Sequence, residues 1–297
     1  MIKLSNGHQL EYVVASGALG FDGLGWPWEK PLVWLRLIRP ELFTVFIKSL
    51  TRNPREGNLR WYKPWECVRL IPGGRSVNKV GLTNPGIEWW CKEVGPHLDF
   101  RKYNLAGSIF GTTVELVEMA TMLNRFGFVA LEINPSCPNT GHGLETAQSI
   151  IHSVKAVKEV SRHPLIVKVS VDQDYLAIAQ GLVGVAEAIS LNSVPWKTVF
   201  PEGKRTPLWR LEEKVGGGGG GVSGRPAQEH NWGAVKALSS QGLLPVIGPS
   251  IMGQADIHHL ALRGAKAFSF GAIHLRTPWR PTAIVRNELR HDYLRRC

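Results

Sequence analysis

Short apolar runs recur along the whole 297-residue chain, and their number and spacing limit the folds open to it. Eight of them have the length and residue content of buried strands. They are residues 12–17, 43–48, 104–110, 129–134, 165–170, 186–192, 244–248 and 267–271. From the third run onward they alternate with amphipathic segments, at residues 113–126, 145–160, 175–183, 232–239 and 255–262. Strands alternating with helices predict a parallel sheet, and eight such units predict an α/β protein with a (β/α)8 TIM barrel.

Length and composition agree with one barrel, for which about 250 residues is usual. Hydrophobic residues make up 43% of the chain and charged residues 20%, so we expect residues 1–297 to form a single domain. Residues 51–99 depart from the alternation and are rich in tryptophan, proline and glycine. This stretch predicts an elaborated loop that roofs an active site. The glycine run at residues 216–221 is typical either of a flexible linker or of a cradle for a phosphate or a flavin.

Charge and cysteine content exclude several classes of protein. The four cysteines lie far apart without a Cys-x-x-Cys pair, which argues against a disulfide framework or an internal iron–sulfur or zinc centre.

No stretch is long and uncharged enough to span a membrane and no signal peptide is evident, so we expect a cytoplasmic protein. The net charge of +11 favours anionic partners. A solvated basic surface is favoured over a nucleic-acid-binding surface, because no basic run is interleaved with stacking aromatic residues.

Polar residues follow the fourth apolar run, where a barrel places its catalytic groups. Asn134, Cys137 and Asn139 put two carboxamides and a thiol within six residues. A carboxamide donates and accepts hydrogen bonds, which suits a ring bearing imides and carbonyls. A thiol serves as a general base once it is ionised. The alternative interpretation is a capped turn with a buried structural cysteine.

The segment Asn134-Pro135-Ser136-Cys137-Pro138-Asn139 resembles the catalytic motif of the class 1 dihydroorotate dehydrogenases, in which the cysteine is the base. Further matches follow in the family's order from about residue 12 to residue 275. The resemblance implies FMN as cofactor and the oxidation of (S)-dihydroorotate to orotate in pyrimidine (UMP) biosynthesis. In that reaction Cys137 would remove a proton from C5 while C6 delivers a hydride to the flavin N5 atom.

The resemblance also implies roles for particular residues. The catalytic residues would be Cys137 and Lys48. The substrate-binding residues would be Lys48, Asn78, Gly81, Leu82, Asn134, Asn139, Asn192 and Ser193. The FMN-binding residues would be Ala15, Ser16, Gly17, Lys48, Ser49, Asn134, Lys168, Gly220, Gly221, Ser223, Gly224, Gly248, Ser250, Gly271 and Ala272. No metal ligands are predicted.

The phosphate end departs from the family's pattern. The family usually has Gly-Gly-Ile after the seventh strand, whereas this chain has Gly248-Pro249-Ser250-Ile251. Proline has no N–H to donate to a phosphate. Ser250 offers its own N–H and hydroxyl, and Gly271-Ala272 after the eighth strand would complete a phosphate site at the last two loops.

Two other functions remain open from the sequence. A tRNA dihydrouridine synthase also combines an FMN barrel with a Cys-Pro loop, but only about 25 residues follow the eighth run and the asparagine after Cys-Pro is foreign to that motif. A non-catalytic flavin-binding subunit finds support only in Pro249-Ser250. The electron acceptor is also open, between fumarate and NAD reached through a second subunit with FAD and an iron–sulfur cluster. The family commonly forms homodimers.

Overall fold

The computed structural model describes residues 1–135, 146–201 and 203–296, with residues 291–296 described by their backbone alone. The strands, numbered along the chain, are β1 (Ile2–Lys3), β2 (Gln9–Leu10), β3 (Tyr12–Val14), β4 (Thr44–Phe46), β5 (Val68–Ile71), β6 (Arg75–Asn78), β7 (Asn104–Ile109), β8 (Leu131–Ile133), β9 (Leu165–Val169), β10 (Ala188–Leu191), β11 (Val194–Pro195), β12 (Gly221–Gly224), β13 (Val246–Gly248) and β14 (Ala267–Phe270). The helices are α1 (Lys30–Trp34), α2 (Ile87–Trp89), α3 (Thr113–Leu123), α4 (Ala147–Val160), α5 (Tyr175–Gly181), α6 (Trp196–Val199), α7 (Trp209–Val215), α8 (Arg225–Gln241), α9 (Gln254–Leu262) and α10 (Arg280–Arg296).

Eight parallel strands close into a barrel, in the order β3, β4, β7, β8, β9, β10, β13 and β14. The barrel closes where β14 pairs with β3, with Phe268 opposite Tyr12. Each barrel strand lies within one of the eight predicted runs, so the predicted (β/α)8 fold is confirmed. The strands are shorter than the runs, because the ladder ends before the polar residues that follow it.

The predicted helices are present with shifted ends. Helix α4 begins after Thr146, whose hydroxyl accepts the Ser149 N–H at 3.2 Å, and α3 begins with a capping box between Thr112 and Glu115. Helix α8 begins at Arg225, well before the predicted start at residue 232. Polar residues crowd its first turns and hide the apolar stripe. Among the described residues no helix is long and apolar enough to cross a membrane.

The region at residues 51–99 contains two strands that the sequence pattern did not reveal. Strands β5 and β6 form an antiparallel hairpin, and β12 and β11 extend it into a four-stranded sheet. Asn78 lies opposite Gly221 in this sheet. The glycine run therefore ends in a strand, and the interpretation of that run as a flexible linker is wrong for Gly221.

The barrel interior changes character from one end to the other. Successive strand residues face opposite sides, so alternate residues line the inside in layers. The lower layer is apolar and consists of Val13, Phe46, Ala106, Ala130, Ile166, Ala188, Ile247 and Ala267. Ile2, Leu4 and Leu10 from the β1–β2 hairpin region close this end. Two residues further along five of the strands comes a buried polar layer, formed by Lys48, Ser108, Glu132, Lys168 and Ser190.

Candidate active site

Glu132 is the centre of the polar layer at the carboxyl ends of the strands. Its side chain is only 3% exposed. Ser108 on β7 donates to its Oε1 at 2.9 Å and Ser190 on β10 donates to its Oε2 at 3.1 Å. The ammonium of Lys168 on β9 lies 3.3 Å from Oε1. The carboxylate thus fixes the position of Lys168, one of the predicted flavin contacts.

A chain of serine hydroxyls leads from Glu132 to Ser49 and Ser16, which follow β4 and β3 at the barrel mouth. The Ser108 hydroxyl lies 2.9 Å from that of Ser49, which lies 2.9 Å from that of Ser16. Ser16 also donates to the Ile47 carbonyl at 2.9 Å. Three predicted flavin contacts, Ser16, Ser49 and Lys168, are therefore joined to Glu132 through one hydrogen-bonded network. Glu132 was not among the residues predicted from the sequence, although a charged residue inside an apolar run is itself an indication of a functional role.

Lys48 follows β4 and is buried at the barrel mouth. Its N–H donates to the Gly20 carbonyl at 2.9 Å, and its ammonium lies 5.9 Å from the centre of the Phe21 ring. A pocket of about 370 Å³ opens beside it. The pocket walls include Phe21, Trp26, Leu59, Arg55, Thr83 and Asn84. The residues 51–99 region thus contributes to a cavity next to Lys48, as an active-site roof requires.

Two of the predicted substrate amides meet at the barrel mouth, after β8 and β10, the two strands that flank β9. The Asn134 N–H donates to the Ile109 carbonyl at 3.0 Å and the Asn192 N–H to the Val169 carbonyl at 2.9 Å. These backbone bonds bring the two side chains together, with Asn192 Nδ2 lying 3.5 Å from Asn134 Oδ1. Ser193 donates its N–H to Asn192 Oδ1 at 2.9 Å. Asn134, Asn192 and Ser193 therefore form one cluster.

The third predicted amide, Asn78, ends β6 and reaches the glycine run. Its Nδ2 donates to the Gly221 carbonyl at 3.4 Å. A Cβ atom at Gly220 would lie 2.6 Å from the Asn78 carbonyl oxygen, which is too close for any other residue type. The glycines here permit a close approach between two chain segments. Gly81 and Leu82 follow in left-handed conformations, and Asn84 Nδ2 donates to the Leu82 carbonyl at 2.7 Å.

Lys79 and Glu212 form an ion pair that the sequence did not indicate. The Lys79 ammonium, with a side chain 2% exposed, lies 2.6 Å from Glu212 Oε2 and also donates to the Gly216 carbonyl. The same carboxylate accepts the Gly219 N–H at 2.6 Å. Burial alone would raise the pKa of the Glu212 carboxyl, but Lys79 and the Gly219 N–H outweigh it and lower this pKa. The pair ties the Asn78 segment to the glycine run.

Strand β12 approaches the loop that follows β13. Its last residue, Gly224, approaches Met252 in the loop after β13, since a Cβ atom there would lie 3.7 Å from the Met252 sulfur. Ser223 pairs with Ser76 in the small sheet.

In the loop after β14, Gly271 lies close to Ala15, and the Ala15 N–H donates to the Phe270 carbonyl at 2.9 Å. Gly17 accepts the Trp26 indole N–H at 3.2 Å.

The Gly248-Pro249-Ser250 turn is held from helix α8. Ser250 has a φ of +66°, a left-handed conformation that favours glycine, which matches the glycine usual in the family. Asn231 Nδ2 donates to the Ser250 hydroxyl at 3.2 Å and to the Asn192 carbonyl at 3.3 Å. Asp256 accepts the N–H groups of Met252 and Gly253 at 2.7 and 2.9 Å. Those two N–H groups are thus engaged within the protein.

Two predicted residues, Cys137 and Asn139, lie outside the described residues. Cys67 and Cys91 are described, and both are buried. Burial raises the pKa of the Cys67 thiol to about 11 and also raises the pKa of the Cys91 thiol. Neither of these thiols is therefore suited to act as a base near neutral pH.

FMN has a ring system with carbonyl groups and a phosphate, and the described residues fit such a group. The buried Lys48 and Lys168 supply positive charge for a cofactor that gains negative charge on reduction. The loops after β13 and β14 are the usual phosphate site of such barrels. Fold and site together define an FMN-dependent (β/α)8-barrel oxidoreductase.

Comparison with known proteins gives the family. The sequence model described as dihydroorotate dehydrogenase matches residues 32–290, and the chain belongs to this family. The family indicated by the motif around Cys137 is thereby confirmed, in preference to the tRNA dihydrouridine synthases.

Relatives with the name dihydroorotate dehydrogenase B (NAD(+)), catalytic subunit, resemble the chain over most of its length. The protein from Desulforudis audaxviator is 32% identical over 285 residues, covering 92% of this chain and 85% of the relative. The protein from Geobacter metallireducens is 31% identical over 288 residues, covering 93% and 86%. The protein from Phocaeicola vulgatus is 30% identical over 263 residues, covering 85% and 82%.

Proposed function

We propose that this protein oxidises (S)-dihydroorotate to orotate in pyrimidine biosynthesis. The observation that supports it most is the amide cluster at the carboxyl ends of the barrel strands. Asn134, Asn192 and Ser193 lie together after β8 and β10, and Asn78 reaches towards Ser193 through Gly221. Carboxamides pair with the imide groups of the substrate ring, and an ammonium pairs with its carboxylate. An apolar or purely acidic cavity would not offer these partners.

We assign the bond-breaking step to Cys137. The thiolate removes the proton from C5, C6 loses a hydride, and the C5–C6 single bond of the substrate becomes a double bond. FMN, when bound, would supply the acceptor for this hydride. Lys48 and the asparagines hold the substrate ring in the orientation that this transfer requires. Asn139 would bind the ring from the same loop as Cys137.

The names of the relatives support a role as the catalytic subunit of a larger enzyme. We propose that electrons leave towards NAD through a second subunit with FAD and an iron–sulfur cluster, with fumarate as the alternative acceptor. We also propose that residues 1–297 act as one domain and that two copies associate as a homodimer. The tryptophan-rich loop is available for such a contact, since Trp61 is 82% exposed.

Substitution of Cys137 tests the assignment of the base. The Cys137→Ala variant should lose at least about a hundredfold in turnover of dihydroorotate with an artificial dye as acceptor, because a general base contributes that much. Wild-type turnover should rise with pH up to the ionisation of the thiol, whose ordinary pKa is about 8.5. The Cys91→Ala variant is the matched control, and it should keep its activity. Wild-type turnover in Cys137→Ala would remove Cys137 from the mechanism.

A further inference from the structure

The polar layer contains a buried charge pair that barrel packing does not require. The lower layer closes the same barrel with apolar side chains alone. Replacing a buried ion pair by apolar groups is often neutral or stabilising, so stability gives no reason for Glu132 and Lys168 to be there. Their position two residues above the apolar layer, at the carboxyl ends of β8 and β9, is where barrels place functional groups.

The described partners of the Glu132 carboxylate all hold it as an acceptor in one orientation. Ser108 and Ser190 donate from strands on either side, and Lys168 approaches Oε1 at 3.3 Å. Ser108 connects onward to Ser49 and Ser16. An ionised carboxylate accepts such bonds on both oxygens without competing as a donor, so the arrangement suits the charged form. Glu132 thus places a negative charge directly against the ammonium of Lys168.

We propose that Glu132 is a positioning residue that fixes the Lys168 ammonium and sets the net charge at the FMN site, and thereby the redox potential of FMN. The proposal deepens the proposed function, since it rests on FMN bound at this end of the barrel. Reduction adds negative charge to FMN. A nearby ammonium favours the reduced form, and a carboxylate opposes it. Glu132 therefore moderates the effect of Lys168 and holds the potential below the value that an unpaired lysine would give.

The test is the midpoint potential of FMN in the purified holoenzyme, measured by equilibration with a reference dye in the absence of substrate. The Glu132→Gln variant keeps the shape and loses the charge. Its potential should rise so that reduced FMN is favoured at least tenfold over the wild type, which is about 30 mV for a two-electron couple. Glu187→Gln is the matched control. Glu187 accepts the Ser5 N–H at 2.7 Å beside the amino-terminal hairpin, so its loss should leave the potential unchanged.

If Glu132→Gln does not fold, because the Lys168 ammonium remains buried without its carboxylate, a second variant tests the same proposal. The double variant Glu132→Gln/Lys168→Met removes both charges together. It should fold, and its potential should lie below that of the wild type, because Lys168, and not Glu132, is the predicted FMN contact, so that the loss of the ammonium outweighs the loss of the carboxylate. A wild-type potential in Glu132→Gln, or in the double variant, would overturn the proposal. The measurement uses no dihydroorotate, so a wrong substrate assignment would leave this result interpretable.

Discussion

His274 lies in the turn that follows β14, three residues after Gly271, and its side chain is 3% exposed. Neither ring nitrogen has a hydrogen-bond partner within the part of the chain that the structure describes. Burial lowers the pKa of this imidazole from 6.5 to about 3. The folded protein therefore contains neutral His274 at all pH values near neutrality.

This histidine should make folding stability depend on pH. The unfolded chain binds a proton at its ordinary pKa of about 6.5, whereas the folded chain resists protonation down to about pH 3. The contribution is fully present above pH 6.5 and is lost as pH falls from there to about 3, by at most about 1.4 kcal/mol per pH unit. Denaturant unfolding at several pH values should therefore show a shallower acid loss in His274→Leu than in the wild type.

The exposed His152 on α4 provides the control for this measurement. His152→Leu removes a histidine without changing the interior, so the slope of stability against pH should follow the wild type. Equal slopes in the wild type and in His274→Leu would mean that His274 does not contribute to acid unfolding.

At the level of residues, the sequence indicated polar groups at or near the ends of strands, Lys168 among them, and missed Glu132 inside β8. Lys48, Asn134 and Asn192 were foreseen because polar residues directly follow apolar runs there. Glu132 stands within an apolar run. Its partners Ser108 and Ser190 are 24 and 58 residues away in the sequence. Their convergence depends on strand register, which local sequence does not specify.

At the level of elements, the Lys79–Glu212 pair connects the end of β6 with α7 and the glycine run. Lys79 adjoins Asn78, and Glu212 also accepts the Gly219 N–H. The segment that contains Asn78 and the glycine run are thus held by one carboxylate. We expect the pair to maintain the spacing between the two.

Breaking this pair should affect both binding and stability. Lys79→Met leaves a partly buried carboxylate without its cation, which should lower the free energy of unfolding by about 2 kcal/mol and raise KM for dihydroorotate more than it lowers kcat. Steady-state kinetics and denaturant unfolding measure these effects. The exposed neighbour Glu213, paired with Arg205, gives the control Glu213→Gln, which should change neither. An unchanged KM in Lys79→Met would refute the positioning role.

The same pair predicts a loss of stability in acid. The pKa of Glu212 is lowered in the folded state, so its contribution is present above the ordinary carboxyl pKa of about 4.3 and disappears as pH falls through the lowered value. In Glu212→Gln this part of the acid loss should be missing.

The elements that sequence patterns predicted best were the barrel strands, which appear as continuous apolar runs. All eight barrel runs stood out because both faces of each strand are buried. Strands β5 and β6 did not, because residues of β5 such as Arg69 and Leu70 are exposed and tryptophans surround the hairpin. Strand β12 was hidden by the glycine run, whose close approach to Asn78 becomes apparent only in three dimensions.

At the level of the whole molecule, one barrel combines an apolar closed end with a polar open end. The amino-terminal hairpin region packs on the apolar layer, and the four-stranded sheet stands near the polar layer. Burial strengthens the electrostatic interactions of Glu132 with its partners. Stability and chemistry are therefore assigned to opposite ends of the same strands, as in other barrels of this type.

We expect this barrel, with FMN bound, to take electrons from dihydroorotate. Anaerobic titration of the purified holoenzyme with dihydroorotate, followed by visible absorbance, measures this electron transfer without any external acceptor. The flavin absorbance should bleach as about one equivalent of substrate is added. A protein with bound FMN that stays fully oxidised at excess dihydroorotate would contradict this expectation.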